Sequence, residues 1–196
     1  LENASGQLGL GLERVLPDLG NNIKCGNSLI GFDYFETKLI PDEEERARIN
    51  PFDWRNEFKD VFAKGGFDVV IGNPPYIVMI KSVFGEQLLK AVNSEYLTAE
   101  YNPNTYTLFT ELSLQKLLKS NGAFALIIPN TWLDGKYFSK MRGLLDLVSV
   151  KQIANLKNEA FEEIVETVVI IGNKSPRNYN PELKHYDIAG PIEKLT

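Results

Sequence analysis

The chain has 196 residues, 43% of them hydrophobic, and a formal net charge of −5. That length buries one sizeable core, enough for one domain with an appendage. The acidic balance argues against a surface that holds nucleic acid by bulk electrostatics, so most of any phosphate-contacting surface is expected elsewhere.

Cys25 is the only cysteine and His185 the only histidine. This excludes an intrachain disulfide and all but excludes a zinc or Ser-His-Asp site, so no metal is expected. The longest apolar runs, such as residues 123–129, are too short to span a bilayer, and no signal-peptide pattern opens the chain. A cytoplasmic, reducing setting is the expectation. The chain opens on Leu1 rather than Met, so it is expected to be a piece of a longer protein.

Residues 1–22 are rich in Gly and Asn, with a short apolar pattern (Leu8, Leu10, Leu12, Val15, Leu16) that suits a weak helix ending before Pro17. Residues 23–31 read as a brief strand opening into a Gly-Asn-Ser turn. In the charge run at 42–48 the acids precede Arg46 and Arg48, the order a helix dipole prefers, which predicts a solvated helix. An apolar strand at 67–72 then ends at Asn73-Pro74-Pro75-Tyr76. Its prolines hold φ near about −65° and donate no backbone hydrogen, so the chain must leave the sheet there. Residues 83–92 suit a helix and 93–104 a loop.

The stretch 105–120 carries Phe109, Leu112, Leu114, Leu117 and Leu118 on one helical face, with Asn121-Gly122 as the stop. Residues 124–129 form a fully apolar strand, the signature of a parallel strand covered on both faces. A turn (130–135), a helix (137–147), a strand (150–155), an irregular stretch holding Phe161 and a last apolar strand (167–171) follow. Strands alternating with helices predict an α/β fold with a mainly parallel sheet. Beyond Lys174 the chain turns Pro- and Asn-rich, residues 184–188 read as one isolated strand, and a boundary to a different module is expected near residue 175.

The turn after residue 72 presents an amide (Asn73), free carbonyls and an aromatic ring (Tyr76) at a strand's carboxyl end, where open α/β sheets bind ligands. Preceded by Val69-Val70-Ile71-Gly72, Asn73-Pro74-Pro75-Tyr76 resembles the catalytic motif of amino-group methyltransferases that use S-adenosyl-L-methionine. Asn50-Pro51-Phe52-Asp53-Trp54, Phe58, Val61-Phe62 and Gly65-Gly66 precede it in an order that resembles the adenine-specific methylases of type II restriction–modification systems. Those include members fused to an endonuclease and related phage-defence methylases; the likeness runs over about residues 21 to 174. Methyltransferases acting on a protein glutamine or an RNA base carry a closely similar motif, and a non-catalytic scaffold module is a third reading.

The first resemblance implies a partial Rossmann-like methyltransferase fold with double-stranded DNA as partner. The lone pair of an adenine amino group is delocalised, so the group is a poor nucleophile; Asn73 and the Pro74 carbonyl would accept its two hydrogens and favour a tetrahedral nitrogen. That catalysis is positional and electrostatic. Tyr76 would stack on the extruded adenine. Phe161, in Asn158-Glu159-Ala160-Phe161, would stack opposite, each ring contributing about 1–3 kcal/mol; its polar neighbours are unlike those of a core residue. Gly26-Asn27-Ser28 would hold the cofactor's adenine, with Asn27 standing where the family often has an aspartate. Its amide oxygen accepts the same hydrogen bond without charge, and an ordinary Gly-Asn turn is the alternative. Phe109 would pack on that adenine or serve the core through its spacing to Leu112. Asn73 also counts as a cofactor contact, and Asn130 is a candidate base-side contact.

The family's glycine-rich loop and ribose-binding acid have no counterpart here and are expected upstream of Leu1. A DNA-recognition region is expected after residue 174, with an endonuclease or specificity domain as a further partner. The strand ending at Asn73 would then keep an open apolar edge, suited to self-association. Little or no methyl transfer is expected from the chain alone; turnover with duplex DNA would contradict that.

Overall fold

The computed structural model describes residues 19–36, 43–156, 166–176 and 184–188. The segments holding Leu8 to Leu16 and Phe161 lie outside the described residues. The acid-first charge run is a helix, α1 (Glu43–Ile49), as expected. Asp53 caps α2 (Trp54–Glu57) by accepting from the Arg55 and Asn56 amides at 2.9 and 3.0 Å. After α3 (Lys59–Ala63), Gly66 has φ +120°, and a Cβ there would stand 2.4 Å from the Leu117 carbonyl. Only glycine allows that approach into the next strand.

That strand is β1 (Phe67–Gly72), followed by α4 (Lys81–Phe84), α5 (Glu86–Glu95) and α6 (Thr105–Glu111). A π-helical turn (Leu112–Leu117) delivers the chain to β2 (Leu118–Pro129). After a short 3-10 turn (Asn130–Trp132) come α7 (Ser139–Asp146), β3 (Ser149–Leu156), β4 (Thr167–Asn173) and β5 (Lys184–Ile188). The sheet order is β1-β2-β4-β3-β5. β1 pairs parallel with β2 and β3 with β5, whereas β4 runs antiparallel to both of its neighbours. Four strands therefore share one direction and a reversed strand is wedged among them, so the sheet is mixed but mainly parallel.

Two apolar clusters flank α6. The first gathers Phe124, Leu126 and Ile128 of β2, Val168 and Ile170 of β4, Met141, Leu144 and Leu145 of α7, and Tyr106. The second joins Ile30, Phe35, Ile49, Met79, Val92, Tyr96, Leu108 and Leu112. Val70 touches both, so the strand that carries the catalytic-type turn is pinned between them. Among the described residues, no helix is long and apolar enough to cross a membrane.

Several expectations are corrected. The strand expected at 23–31 is absent: this segment makes a single bridge, Asn27 to Pro51, and turns into a 3-10 helix at Phe32–Phe35. Asn27 closes its own turn, its Oδ1 accepting from the Leu29 amide at 3.2 Å, a local bond that competes with a ladder. The helix expected to run to Ser120 ends at Leu117, and Asn121-Gly122 lies inside β2. Pairing of Leu118 with Phe67, and of the Asn121 amide with the Lys174 carbonyl at 2.8 Å, outweighs local helix preference. Gly85, at φ +77°, splits the helix expected at 83–92 into α4 and α5. β2 is not covered equally on both faces: Phe124, Leu126 and Ile128 are buried while Ala125 and Ile127 are half-covered. The strand at 184–188 is not isolated, because it extends the sheet beyond β3.

Among the described residues no strand pairs with the outer side of β1, where Val69 is 52% and Ile71 78% exposed.

Candidate active site at the carboxyl ends of β1 and β2

β1 and β2 run parallel, with Gly72 beside Leu126, so the turn after Gly72 opens next to the last residues of β2. Asn73 is exposed, Pro74 buried, Pro75 exposed and Tyr76 half-buried. The Tyr76 hydroxyl donates to Asn73 Oδ1 at 2.7 Å and lies 3.2 Å from the Ile127 carbonyl. The phenol thereby selects the amide's oxygen and holds its direction, leaving that oxygen a second lone pair. An exposed amide oxygen aimed by its own motif is a preorganised hydrogen-bond acceptor.

The segment after the turn is laced to the start of α6. Thr105 Oγ1 donates to the Pro75 carbonyl at 2.5 Å and accepts from the Ile77 amide at 3.0 Å. The Thr105 amide donates to the Ile77 carbonyl at 2.9 Å and the Met79 amide to the Pro103 carbonyl at 2.7 Å. Among the described residues nothing donates to the Pro74 carbonyl. Thr105→Val keeps the shape and removes both hydroxyl bonds. It is expected to cost about 1–3 kcal/mol in chemical denaturation, because the Pro75 carbonyl and Ile77 amide lose their partner in a half-buried site.

Beneath Tyr76 lies Tyr106, fully buried. Its ring meets Tyr76 edge-on (6.3 Å, 90°), stacks on Phe138 (6.0 Å, 28°), and its hydroxyl is 3.2 Å from Thr131 Oγ1. Burial pushes the Tyr106 phenol up to about 12, against a smaller opposite pull from the Thr131 hydrogen bond. Burial first, then the Glu95 and Glu111 charges, raises Tyr96 as well. A folded-state value above the unfolded one makes this stability fully present below the free tyrosine value of about 10. It is lost as pH rises through the folded value. Melting temperature is thus expected to fall between pH 10 and about 12, and Tyr106→Phe to flatten that fall in a thermal melt series.

Glu111 is buried and accepts from the Leu97 and Thr98 amides at 2.9 and 2.7 Å. It ties the loop before Asn104 to α6.

The remaining predicted residues fall in three places. Asn27 and Ser28 form a turn in which Gly26 has no room for a Cβ, Phe52 standing 2.6 Å from that point. Trp54 Nε1 donates to the Ser28 carbonyl at 3.0 Å, and the Tyr96 hydroxyl to the Leu29 carbonyl at 2.9 Å. Phe109 is half-buried and packs against the same second cluster as Leu29. The turn, through Leu29, and the Phe109 ring are thus brought to one cluster, and Asn27 Oδ1 accepts from the Leu29 amide within its own turn. Asn130 is engaged elsewhere: its Nδ2 donates to Glu166 Oε2 at 2.8 Å. Phe161 lies outside the described residues.

Sequence reasoning passed over Thr105, Tyr106 and Phe138. Tyr106 stands three residues before the singled-out Phe109, one residue into a helix start; the backbone lacing by Thr105 left no sequence signal.

The structure is an α/β fold whose mainly parallel sheet, with one reversed strand, carries an Asn-Pro-Pro-Tyr turn at a carboxyl end, the arrangement that the sequence resemblance to methyltransferases implies. The Eco57I restriction-modification methylase family matches residues 12–161, and the chain belongs to that family. A relative from Methanocaldococcus jannaschii is 30% identical over 143 residues, covering 71% of this chain and 11% of the relative. The type II restriction enzyme and methyltransferase RM.Eco57I of Escherichia coli is 32% identical over 132 residues, covering 67% of this chain and 12% of its own length. The chain thus spans about an eighth or less of those relatives. Among solved structures, a DrdV–DNA complex matches with TM-score 0.54 at 15% identity, over 89% of this chain and 19% of that one. The type IIG restriction endonuclease BpuSI matches with TM-score 0.50 at 22% identity, over 67% and 16%. These two likenesses show the fold.

Proposed function

We propose that this chain is the later part of the catalytic domain of a site-specific, adenine-directed DNA methyltransferase in a restriction–modification system. The supporting observation is the exposed Asn73 oxygen, held by Tyr76 at the carboxyl end of β1, in a member of a restriction-modification methylase family. S-adenosyl-L-methionine supplies an electrophilic methyl group when bound.

Asn73 Oδ1 and the Pro74 carbonyl accept the two hydrogens of the adenine amino group, which turns its lone pair out of the ring and toward the methyl donor. Tyr76 stacks on the extruded base, its ring angle held by Tyr106; Phe161 is the ring proposed for the opposite face and Asn130 a base-side contact. Asn27, Ser28, Phe109 and Asn73 are the residues that would hold the cofactor. Residues 175–196 lead toward a target-recognition region, β5 remaining bonded to the catalytic sheet. Double-stranded DNA and a nuclease or specificity domain are the proposed partners, in the cytoplasm.

The test is the fate of labelled methyl groups when the full-length enzyme is offered duplex DNA, ribosomal RNA and protein release factor side by side. Label in DNA alone is expected. Label in RNA or protein would replace this reading with another substrate of the same fold, and none anywhere would favour a scaffold.

A further inference from the structure

Two large aromatic rings stand in solvent on the rim of the same site. Tyr101 is 75% and Tyr137 52% exposed, yet they stack on each other at 4.9 Å and 15°. Tyr101 holds φ at +55°, a left-handed conformation that a bulky side chain rarely adopts and that the surrounding structure must enforce. The enforcement is visible on both sides. Glu100 reaches across to α7, accepting from Ser139 Oγ and the Lys140 amide at 2.8 Å each. Glu111 fixes the loop three and four residues before Tyr101 through the Thr98 and Leu97 amides. Arg142 holds the other loop by donating to the Trp132 and Gly135 carbonyls at 2.7 and 2.9 Å.

Both loops lead to the catalytic-type turn. Phe138, next to Tyr137, stacks on Tyr106, whose ring meets Tyr76. Pro103, two residues beyond Tyr101, holds the Met79 amide just past the motif. Charge favours one kind of occupant. In a chain of net charge −5, residues 130–142 carry Lys136, Lys140 and Arg142 against Asp134, with Glu100 meeting them from the Tyr101 loop, and Lys136 Nζ lies 5.7 Å from the Tyr137 ring centre. A rigid aromatic face beside a cation is the chemistry that holds single-stranded or unstacked nucleotides.

We propose that Tyr101, Tyr137 and Lys136 form a DNA-strand contact beside the catalytic turn: the outward face of Tyr101 stacks on a base uncovered next to the extruded adenine, and Lys136 meets a neighbouring phosphate. This rests on the DNA-methylating reading and adds residues to it. Extruding a base leaves its neighbours with bare faces, and a platform held in place beforehand covers one with little ordering cost. Tyr137 supports the platform from behind.

The experiment uses the full-length enzyme with two probes, a mixed-sequence single strand and the duplex it modifies. Tyr101→Ala and Tyr137→Ala are expected to weaken single-strand binding by about 5- to 100-fold. They should raise KM for the duplex while kcat at saturating DNA and melting temperature stay near wild type. Tyr101→Phe should bind as wild type, since the ring and not the hydroxyl makes the contact. Lys136→Ala should reduce the slope of binding against salt by about one. Unchanged single-strand affinity and KM in both alanine variants would overturn the proposal. So would a change in sedimentation behaviour with DNA affinity intact, which would assign the pair to a protein contact. Were the wild type to methylate no adenine, the function reading alone would fall, and the single-strand affinities would still decide this contact.

Discussion

Replacing Asn73 by alanine in the full-length enzyme is expected to lower the methyl-transfer rate by about 10²- to 10³-fold, the usual loss for one preorganised hydrogen-bonding group. Affinity for DNA and melting temperature should change little, since the side chain is exposed and the Tyr76 hydroxyl keeps the Ile127 carbonyl as partner. Equal falls in kcat and kcat/KM would place the interaction in the transition state. Asn73→Asp keeps an acceptor in place but adds charge, so partial activity is expected from it. A rate within a few-fold of wild type for Asn73→Ala would remove Asn73 from the reacting centre.

The second large effect is structural. Tyr106→Ala deletes a fully buried ring from between Tyr76 and Phe138 and is expected to cost about 3–5 kcal/mol in urea denaturation, as for other large-to-alanine changes in a core. Activity should fall further than stability alone explains, because Tyr76 loses the edge contact that sets its ring angle. Tyr106→Phe separates the two roles. It keeps the ring, gives up only the hydroxyl's contact with Thr131, and is expected to cost about 0.5–1.5 kcal/mol with near-normal turnover.

How far the fold was readable depended on where local and tertiary signals agreed. At Phe67–Gly72 apolar patterning and the following prolines pointed to one answer, and the strand and its exit stand as expected. The reversed direction of β4 is set by which strands it wedges between, and no residue within Thr167–Asn173 signals that. At Leu118 the conflict was direct: a helical face predicts continuation to Ser120, whereas pairing with Phe67 draws the chain into β2. At Ile23–Gly31, side-chain bonds of Asn27 and the Gly26–Phe52 contact closed a turn where patterning alone allowed a strand. In the site, the motif residues were legible because proline and asparagine have few other reasons to stand together after a strand. Thr105 and Phe138 were not, since their roles depend on partners about 30 residues away in sequence.

The most direct measurement is the identity of the methylated nucleoside after the full-length enzyme acts on unmodified duplex DNA, with Asn73→Ala in parallel. N6-methyladenine from the wild type and none from the variant is the predicted result. A methyl group on cytosine, or equal N6-methyladenine from both proteins, would contradict the account.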